Sequence, residues 1–382
     1  MRAWTDAEDY AEGMERIGSR VMDSVMDARE GYDPSAFSER DAAAALASER
    51  LSPDGFAALL SPAAAPLLEE MAARARRETL AHFGNSVSLF TPIYVSNRCD
   101  GGCVYCGFRS GNGVGRAALS PAEAEAEMRI IASTGLAEAL ILTGESRTGS
   151  GVGYIGECVA AAARLFKSVG VEVYPMNSAE YASLRARGAD YVTVFQETYD
   201  PERYAEVHLS GQKRVFSYRF DAQERALMGG MRGVAFGALM GLGDLRRDAF
   251  ACGMHARAIQ RKYPSAEISL SVPRLRPVAG SEAYGERVSE RELLQTALAY
   301  RIFLPYAGIT LSTRESARFR DGAAGLFATR MSAGVSVGVG ERSSDSPGGG
   351  QFDIADGRSV EEIRRALEER GLQPVFSDYV RT

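Results

Sequence analysis

The chain has 382 residues, 45% of them hydrophobic and 25% charged, with 50 acids against 44 bases and a formal net charge of −6. That length allows one large domain or two ordinary ones, and the composition is that of a soluble globular protein. No Lys/Arg block is interleaved with aromatics, which argues against nucleic acid, and no apolar run approaches the roughly 20 residues of a membrane span.

The opening Met1-Arg2-Ala3-Trp4-Thr5-Asp6 lacks the basic-then-apolar order of a secretory signal. Residues 1–85 read as a helical extension. Asp33-Pro34 opens a stretch that reaches Ala42–Ala45, and Ser61-Pro62 opens another through Leu67–Met71. In each, proline follows a cap residue. From Val87 the pattern changes to short β-rich runs separated by helical segments. Eight strands are predicted, at Val87–Val95, Ala139–Thr143, Val171–Met176, Tyr191–Gln196, Val234–Met240, Glu267–Val272, Ile309–Ser312 and Phe327–Ser332. Ser120-Pro121-Ala122-Glu123 is a capping box, and Ser289-Glu290-Arg291-Glu292 opens a further helix. Eight βα units make an α/β fold, a parallel (β/α)8 TIM-type barrel over residues 86–340, with catalytic groups at the C-terminal ends of its strands. Residues 341–382 add a Gly/Ser-rich loop at Ser343–Gly350, a helix at Val360–Arg370 and a short extended tail.

Just after the first strand stand Cys99, Cys103 and Cys106, spaced C-x3-C-x2-C. Iron–sulfur cubanes are usually held by four thiolates. Three ligands leave one iron open for chemistry, as a catalytic zinc site keeps one position free. The alternatives are a structural zinc site, for which the nearest histidine, His82, lies at no standard spacing, or three unrelated thiols. Asp100, Gly101 and Gly102 let the chain turn sharply between the first two cysteines. Five cysteines with three clustered fit a reducing cytosol, and hence a cytoplasmic protein, better than a disulfide framework. Cys158 and Cys252, each in an Ala-rich helical pattern, read as buried packing thiols.

The cysteine spacing is the signature of the radical S-adenosylmethionine (SAM) enzymes. Thr91–Asn97, Gln196–Tyr199, Pro273–Pro277 and Leu311–Glu315 extend the likeness to the 2-iminoacetate synthase family, the tyrosine lyases of thiamine biosynthesis. It runs from about Leu60 to the C-terminal Gly371–Val375. The resemblance implies a [4Fe-4S] cluster on Cys99, Cys103 and Cys106, with SAM chelated at the open iron.

It also implies roles residue by residue. Tyr105 resembles the aromatic that meets the adenine of SAM, with loop packing as the alternative. Gly144 and Glu145, ending the second strand, resemble the element that meets the methionyl ammonium, a group with donors only. Glu197 aligns with the position that accepts from the ribose hydroxyls, and Arg219 with the arginine whose fork meets the SAM carboxylate. A structural ion pair and a solvated charge are their respective alternatives. Arg314 lies where related lyases hold the substrate carboxylate, and Ser332 looks like its hydroxyl partner. Arg276 serves the cavity or closes the barrel, and His208 reads as structural.

The reaction implied is cleavage of the Cα–Cβ bond of L-tyrosine to 2-iminoacetate and 4-cresol. A thiazole synthase that takes the product and a flavodoxin- or ferredoxin-type reductant are the implied partners. The rivals are a hydrogenase-maturation tyrosine lyase, a tryptophan lyase and a non-catalytic iron–sulfur protein. The first carries a second cluster on C-terminal cysteines, and here no cysteine follows Cys252.

Overall fold

The computed structural model describes residues 9–276, 285–343 and 348–377. The Met1–Asp6 run, Pro277, Ser344–Pro347 of the Gly/Ser-rich loop and the end of the tail lie outside the described residues. Eight strands follow the chain: β1 (Ser86–Ser96), β2 (Glu138–Thr143), β3 (Ser168–Glu172), β4 (Tyr191–Thr193), β5 (Gly233–Gly237), β6 (Glu267–Ser271), β7 (Gly308–Leu311) and β8 (Arg330–Ser332). All pairings are parallel, each strand lies beside the next, and β1 pairs with both β2 and β8, so the barrel is closed. A ninth strand, β9 (Gln373–Val375), also pairs with β1. Ser88 bonds in register with Arg330 of β8 and with Val375 of β9, which places β9 on the β2 side, below the point where β2 begins. The extended tail is therefore part of the sheet.

Cap chemistry sets the helix starts. Ser120 with Glu123 opens Pro121–Ala132, and Ser289 with Glu292 opens Glu290–Phe303, each through a complete capping box. Asp33, by contrast, caps only a three-residue 3-10 turn, Pro34–Ala36. The alanine run belongs to a separate helix, Glu39–Ala47, opened by the box of Ser38 with Asp41. After Ser61 the chain makes a 3-10 segment, Pro62–Leu67, before the helix Leu68–Phe83, because Pro66 has no N–H for a regular first turn. The helices of this N-terminal region pack on Leu245–Lys262 and Glu290–Phe303, where Phe56 stacks on Phe303 with ring centroids 4.1 Å apart. Burying such a ring stabilises by about 1.5–3 kcal/mol.

Strand ends also depart from expectation. β3 stops at Glu172 and β4 at Thr193, both before the predicted Met176 and Gln196. Beyond β4, Glu197 takes a positive φ of 71°, which no regular strand allows. β8 begins at Arg330 because the N–H groups of Phe327 and Ala328 are spent on the carbonyl of Ala323, at the end of the preceding helix. Inside the barrel, toward its N-terminal end, Tyr191 crosses the interior and donates to Glu138 Oε1 at 2.8 Å, beside Arg330. A Cβ on Gly170 would stand 2.2 Å from that ring, so glycine is what lets the tyrosine seal the floor. Among the described residues no helix is long and apolar enough to cross a membrane.

Candidate active site

β1 delivers the cysteine loop to the C-terminal mouth of the barrel. Asn97 ties the loop's two ends together: its Nδ2 donates to Gly115 O and its Oδ1 accepts from Ala117 N, each at 2.8 Å. Between them, Gly101 N donates to Cys99 Sγ at 3.4 Å. A Cβ on Gly101 would lie 3.4 Å from Cys99 Sγ and 3.6 Å from Cys103 Sγ, so the glycine keeps the space beside these thiols free. Cys106 lies on the same cavity, with Gln351 Nε2 3.9 Å from its sulfur. Among the described residues no three His, Cys, Asp or Glu side chains converge on one ion. The three thiols line one cavity, and three such ligands could hold a cluster with each on its own iron. Burial pushes Cys99 up to about 11 and raises Cys103 and Cys106, with Lys213 acting against it on the last two. Iron would deprotonate all three, as a metal does to any coordinating thiol.

Gly144 packs directly under this loop. A Cβ there would stand 2.3 Å from Arg98 O, so only glycine permits the approach. Asp100 N donates to Glu145 O at 3.0 Å, which couples the two segments. The side chain of Glu145 turns to the cavity, where Oε1 accepts from Arg219 Nη1 at 2.8 Å and Oε2 is buried with no partner. Arg219 also stands 3.6 Å from Glu197 Oε1, and that oxygen accepts from Lys213 Nζ at 2.6 Å. Burial would raise Glu197, yet Lys213 and Arg219 overcome it and hold the carboxyl below its ordinary value. The strained backbone of Glu197 costs on the order of 1–3 kcal/mol and aims this carboxylate inward.

Lys213 had no signal in the sequence: it is one of two adjacent bases in Gln212-Lys213-Arg214, yet it is half-buried between two carboxylates and stands 5.8 Å from the centre of the Tyr105 ring. Tyr105 itself is fixed through its hydroxyl, 2.8 Å from His208 Nε2. His208 Nδ1 is 2.8 Å from the carbonyl of Tyr204, which can only accept, so the proton sits on Nδ1 and Nε2 accepts from Tyr105. Burial, then Lys213 and Arg219, lower the basicity of His208 well below the usual range, which keeps it neutral. The structural reading of His208 holds, and its task is to hold Tyr105.

Deeper in the barrel a second chamber adjoins the first. Phe90, Pro92, Leu140 and Val272 give it apolar walls, and Arg314 and Ser332 face it from the ends of β7 and β8. The Arg314 guanidinium lies 3.6 Å over the Phe352 ring and makes no ion pair or hydrogen bond with any described residue. Burial lowers its pKa despite Tyr94, Glu197 and Glu172 nearby. Ser332 Oγ is buried and equally without a partner. Arg276 holds the Arg314 backbone, donating to its carbonyl, and lies 3.6 Å from Glu315. Cys99, Cys103, Cys106, Gly144, Glu145, Glu197, Arg219, Arg314 and Ser332 line two adjoining chambers, and Tyr105 lines the gap between them. Glu172, at the end of β3, went unnoticed: one acid in an apolar strand carries no pattern.

A closed parallel barrel whose mouth carries three thiols and a buried acid–base cluster defines a radical SAM enzyme, and residues 93–249 match the radical SAM superfamily. Residues 271–373 match the biotin and thiamin synthesis associated domain. The 2-iminoacetate synthases of Salmonella typhimurium (strain LT2) and Escherichia coli (strain K12) are each 38% identical over 340 residues, covering 89% of this chain and 90% of theirs. The solved FeFe-hydrogenase maturase HydG from Carboxydothermus hydrogenoformans is 30% identical with a TM-score of 0.85, covering 95% of this chain and 86% of that one. The chain belongs to the 2-iminoacetate synthase family of radical SAM lyases. Membership of the superfamily implies a [4Fe-4S] cluster and SAM.

Proposed function

We propose that this protein cleaves the Cα–Cβ bond of L-tyrosine to give 2-iminoacetate and 4-cresol for thiazole formation in thiamine biosynthesis. Besides family membership, one observation carries the reading: the Arg314 guanidinium, which pairs with no described residue, and the unpartnered Ser332 hydroxyl share an apolar chamber that opens onto the three thiols. A half-buried cation with no anion within reach among the described residues is free to take one, and an amino-acid carboxylate satisfies both groups.

Cys99, Cys103 and Cys106 would hold three irons of the cluster. The Glu145–Arg219 pair is the charge image of a methionyl zwitterion. Glu145 Oε2, buried and unpartnered, takes the ammonium, and Arg219 takes the carboxylate. Glu197 is poised for ribose hydroxyls and Tyr105, locked by His208, for the adenine. Lys213, with Arg219, holds the Glu197 carboxyl below its ordinary value. When bound and reductively cleaved, SAM supplies the 5′-deoxyadenosyl radical that removes hydrogen from the substrate amine. The chain's contribution is orientation and exclusion of water, with the carboxylate clamp setting where the amine stands.

The reading divides the chain into a helical extension (1–85), the barrel (86–340) and a C-terminal segment (341–382). It places the enzyme in the cytoplasm with a thiazole synthase and a flavodoxin- or ferredoxin-type reductant as partners. Anaerobic incubation of the reduced, reconstituted protein with SAM and L-tyrosine tests it: 4-cresol and 5′-deoxyadenosine should appear together. Turnover of L-tryptophan in place of L-tyrosine would assign the sister activity instead.

A further inference from the structure

Glu172 is a carboxylate that the proposed reaction leaves unused. It is the last residue of β3, in register with Leu142 of β2, two residues before Gly144. Its side chain faces the chamber of Arg314 and Ser332, the chamber of the three thiols, and the gap between them that Tyr105, Glu197 and Lys213 also line. Its carboxylate makes no hydrogen bond or ion pair with any described residue. Every other acid at this mouth is engaged: Glu145 by Arg219, Glu197 by Lys213, Glu315 by Arg274. A substrate whose carboxylate sits on Arg314 and whose amine points toward the thiols must carry that amine past Glu172.

We propose that Glu172 is the general base that takes a proton from the ammonium of the bound amino acid, a role that rests on the lyase reading above. The N–H bond breaks heterolytically and an O–H bond forms on Glu172. A carboxylate and an ammonium become a carboxylic acid and a neutral amine, with no change in total charge. The proton leaves to solvent after the products depart. The step is needed because an ammonium has no lone pair to stabilise a nitrogen-centred radical, whereas an amine has one.

The surroundings suit this task. Burial, reinforced by Glu197, lifts Glu172 to about 7, against Arg314, Lys213 and Arg219. Tyr94 from β1 feels its charge, and Cys99, Cys103, Cys106, Glu145, Tyr105 and Arg276 share its cavities. A base is most effective when its pKa lies near the working pH.

The test is Glu172→Gln in the reconstituted protein, with Glu172→Asp as the variant that keeps a carboxylate. At pH 7 the Gln variant should lose 4-cresol formation on the order of 100-fold, the usual contribution of a positioned base. Iron content and SAM binding should be retained. The deficit should shrink as the pH rises toward the range where an amino group sheds its own proton. The Asp variant should keep part of the activity and the wild-type shape of the pH profile. Binding gives a second readout. The Gln variant should bind L-tyrosine more weakly yet bind 3-(4-hydroxyphenyl)propanoate, which has no amine, as the wild type does. Wild-type turnover by the Gln variant, or a deficit constant across pH, overturns the assignment. Absence of 4-cresol from the wild type itself would instead overturn the lyase reading, so the two failures are distinguishable.

Discussion

Two buried charge clusters sit within this barrel, and they are built differently. In the first, Arg320, Asp356, Arg358 and Asp321 link the helix after β7 to the C-terminal segment. Both oxygens of Asp356 and both of Asp321 accept from guanidinium groups, at 2.7–3.2 Å for those from Arg358. Arg320 also donates to the carbonyl of Ser332. In the second, at the mouth, Glu145 leaves Oε2 without a partner and Glu197 meets both of its cations on Oε1 alone. Glu172 and Arg314 engage no charge within hydrogen-bonding reach. A network whose carboxylate oxygens are all engaged fixes the fold, even with Arg320 Nε buried without a partner. An unsaturated one is held in place by it and is completed by ligands.

The largest effects should come from emptying the mouth. Cys99→Ala, Cys103→Ala or Cys106→Ala should each abolish the cluster's visible absorbance and all SAM cleavage while the barrel stays folded. Normal iron content in any one of them would remove that thiol from the ligand set.

Next come parallel substitutions in the two networks. Asp356→Ala strands Arg320, which is fully buried, and breaking a buried pair in this way costs about 3–5 kcal/mol. Denaturant unfolding measures it. The pH dependence has a definite sign. Burial raises Asp356, but Arg358 and Arg320 outweigh it and hold the carboxyl below the ordinary aspartate range. Its stabilisation is therefore complete at neutral pH and disappears as the pH falls through that depressed value, so variant and wild type should converge in acid. Glu145→Gln should instead weaken SAM binding roughly ten- to hundredfold, the worth of one hydrogen bond to a charged group, with little loss of stability. A large stability loss for Glu145→Gln would erase the distinction between the clusters.

Arg314→Ala acts more narrowly. The thiols, Glu145 and Arg219 are untouched, so SAM binding and slow 5′-deoxyadenosine release should continue. Tyrosine affinity should fall by about ten- to hundredfold, equivalent to roughly 1.5–3 kcal/mol, and 4-cresol further still as the amine loses its position. Arg314→Lys should rescue poorly, because a point charge cannot reproduce the fork. Unchanged tyrosine dependence would move the carboxylate to another cation, with Arg276 next to it.

Much of this was legible in the sequence because it is written in local patterns. The cysteine spacing, the Ser120 and Ser289 capping boxes and the alternation of β-rich runs with helices each occupy a few neighbouring residues. What the sequence hid arises across distance. Lys213 and Glu172 matter because β3 and the segment after β4 bring them to one cavity, and neither carries a motif. β4 ends earlier than its sequence suggests, because Val194-Phe195-Gln196 looks like strand while the chain turns left-handed at Glu197, which no local pattern announces. β9 looks like a tail in the sequence because three residues show no periodicity without the partner strand that holds them.

The smallest effects should come from the two remaining cysteines, which belong to neither charge cluster. Cys158 lies in the helix Val152–Leu165 and Cys252 in Leu245–Lys262, both fully buried. Burial, first among causes, pushes their pKa values up to about 11 and about 12, against hydrogen bonds from Tyr154 in one case and from Tyr300 and Tyr199 in the other. Such thiols stay protonated at neutral pH and are poor metal ligands and poor nucleophiles. Cys158→Ala and Cys252→Ala remove one buried sulfur each, close in size to a methyl group, so a loss of about 1 kcal/mol is expected. Cys252→Ala should cost the more of the two, because it leaves the Tyr199 and Tyr300 hydroxyls each short of a contact. Tyr199 keeps His255 Nδ1 at 3.1 Å and Tyr300 keeps the carbonyl of Ala249 at 3.1 Å, which limits the penalty. Iron content should equal that of the wild type in both variants. A fall to half in either would mean that a second metal site draws on these helices, and the division between thiols that bind iron and thiols that pack would have to be redrawn.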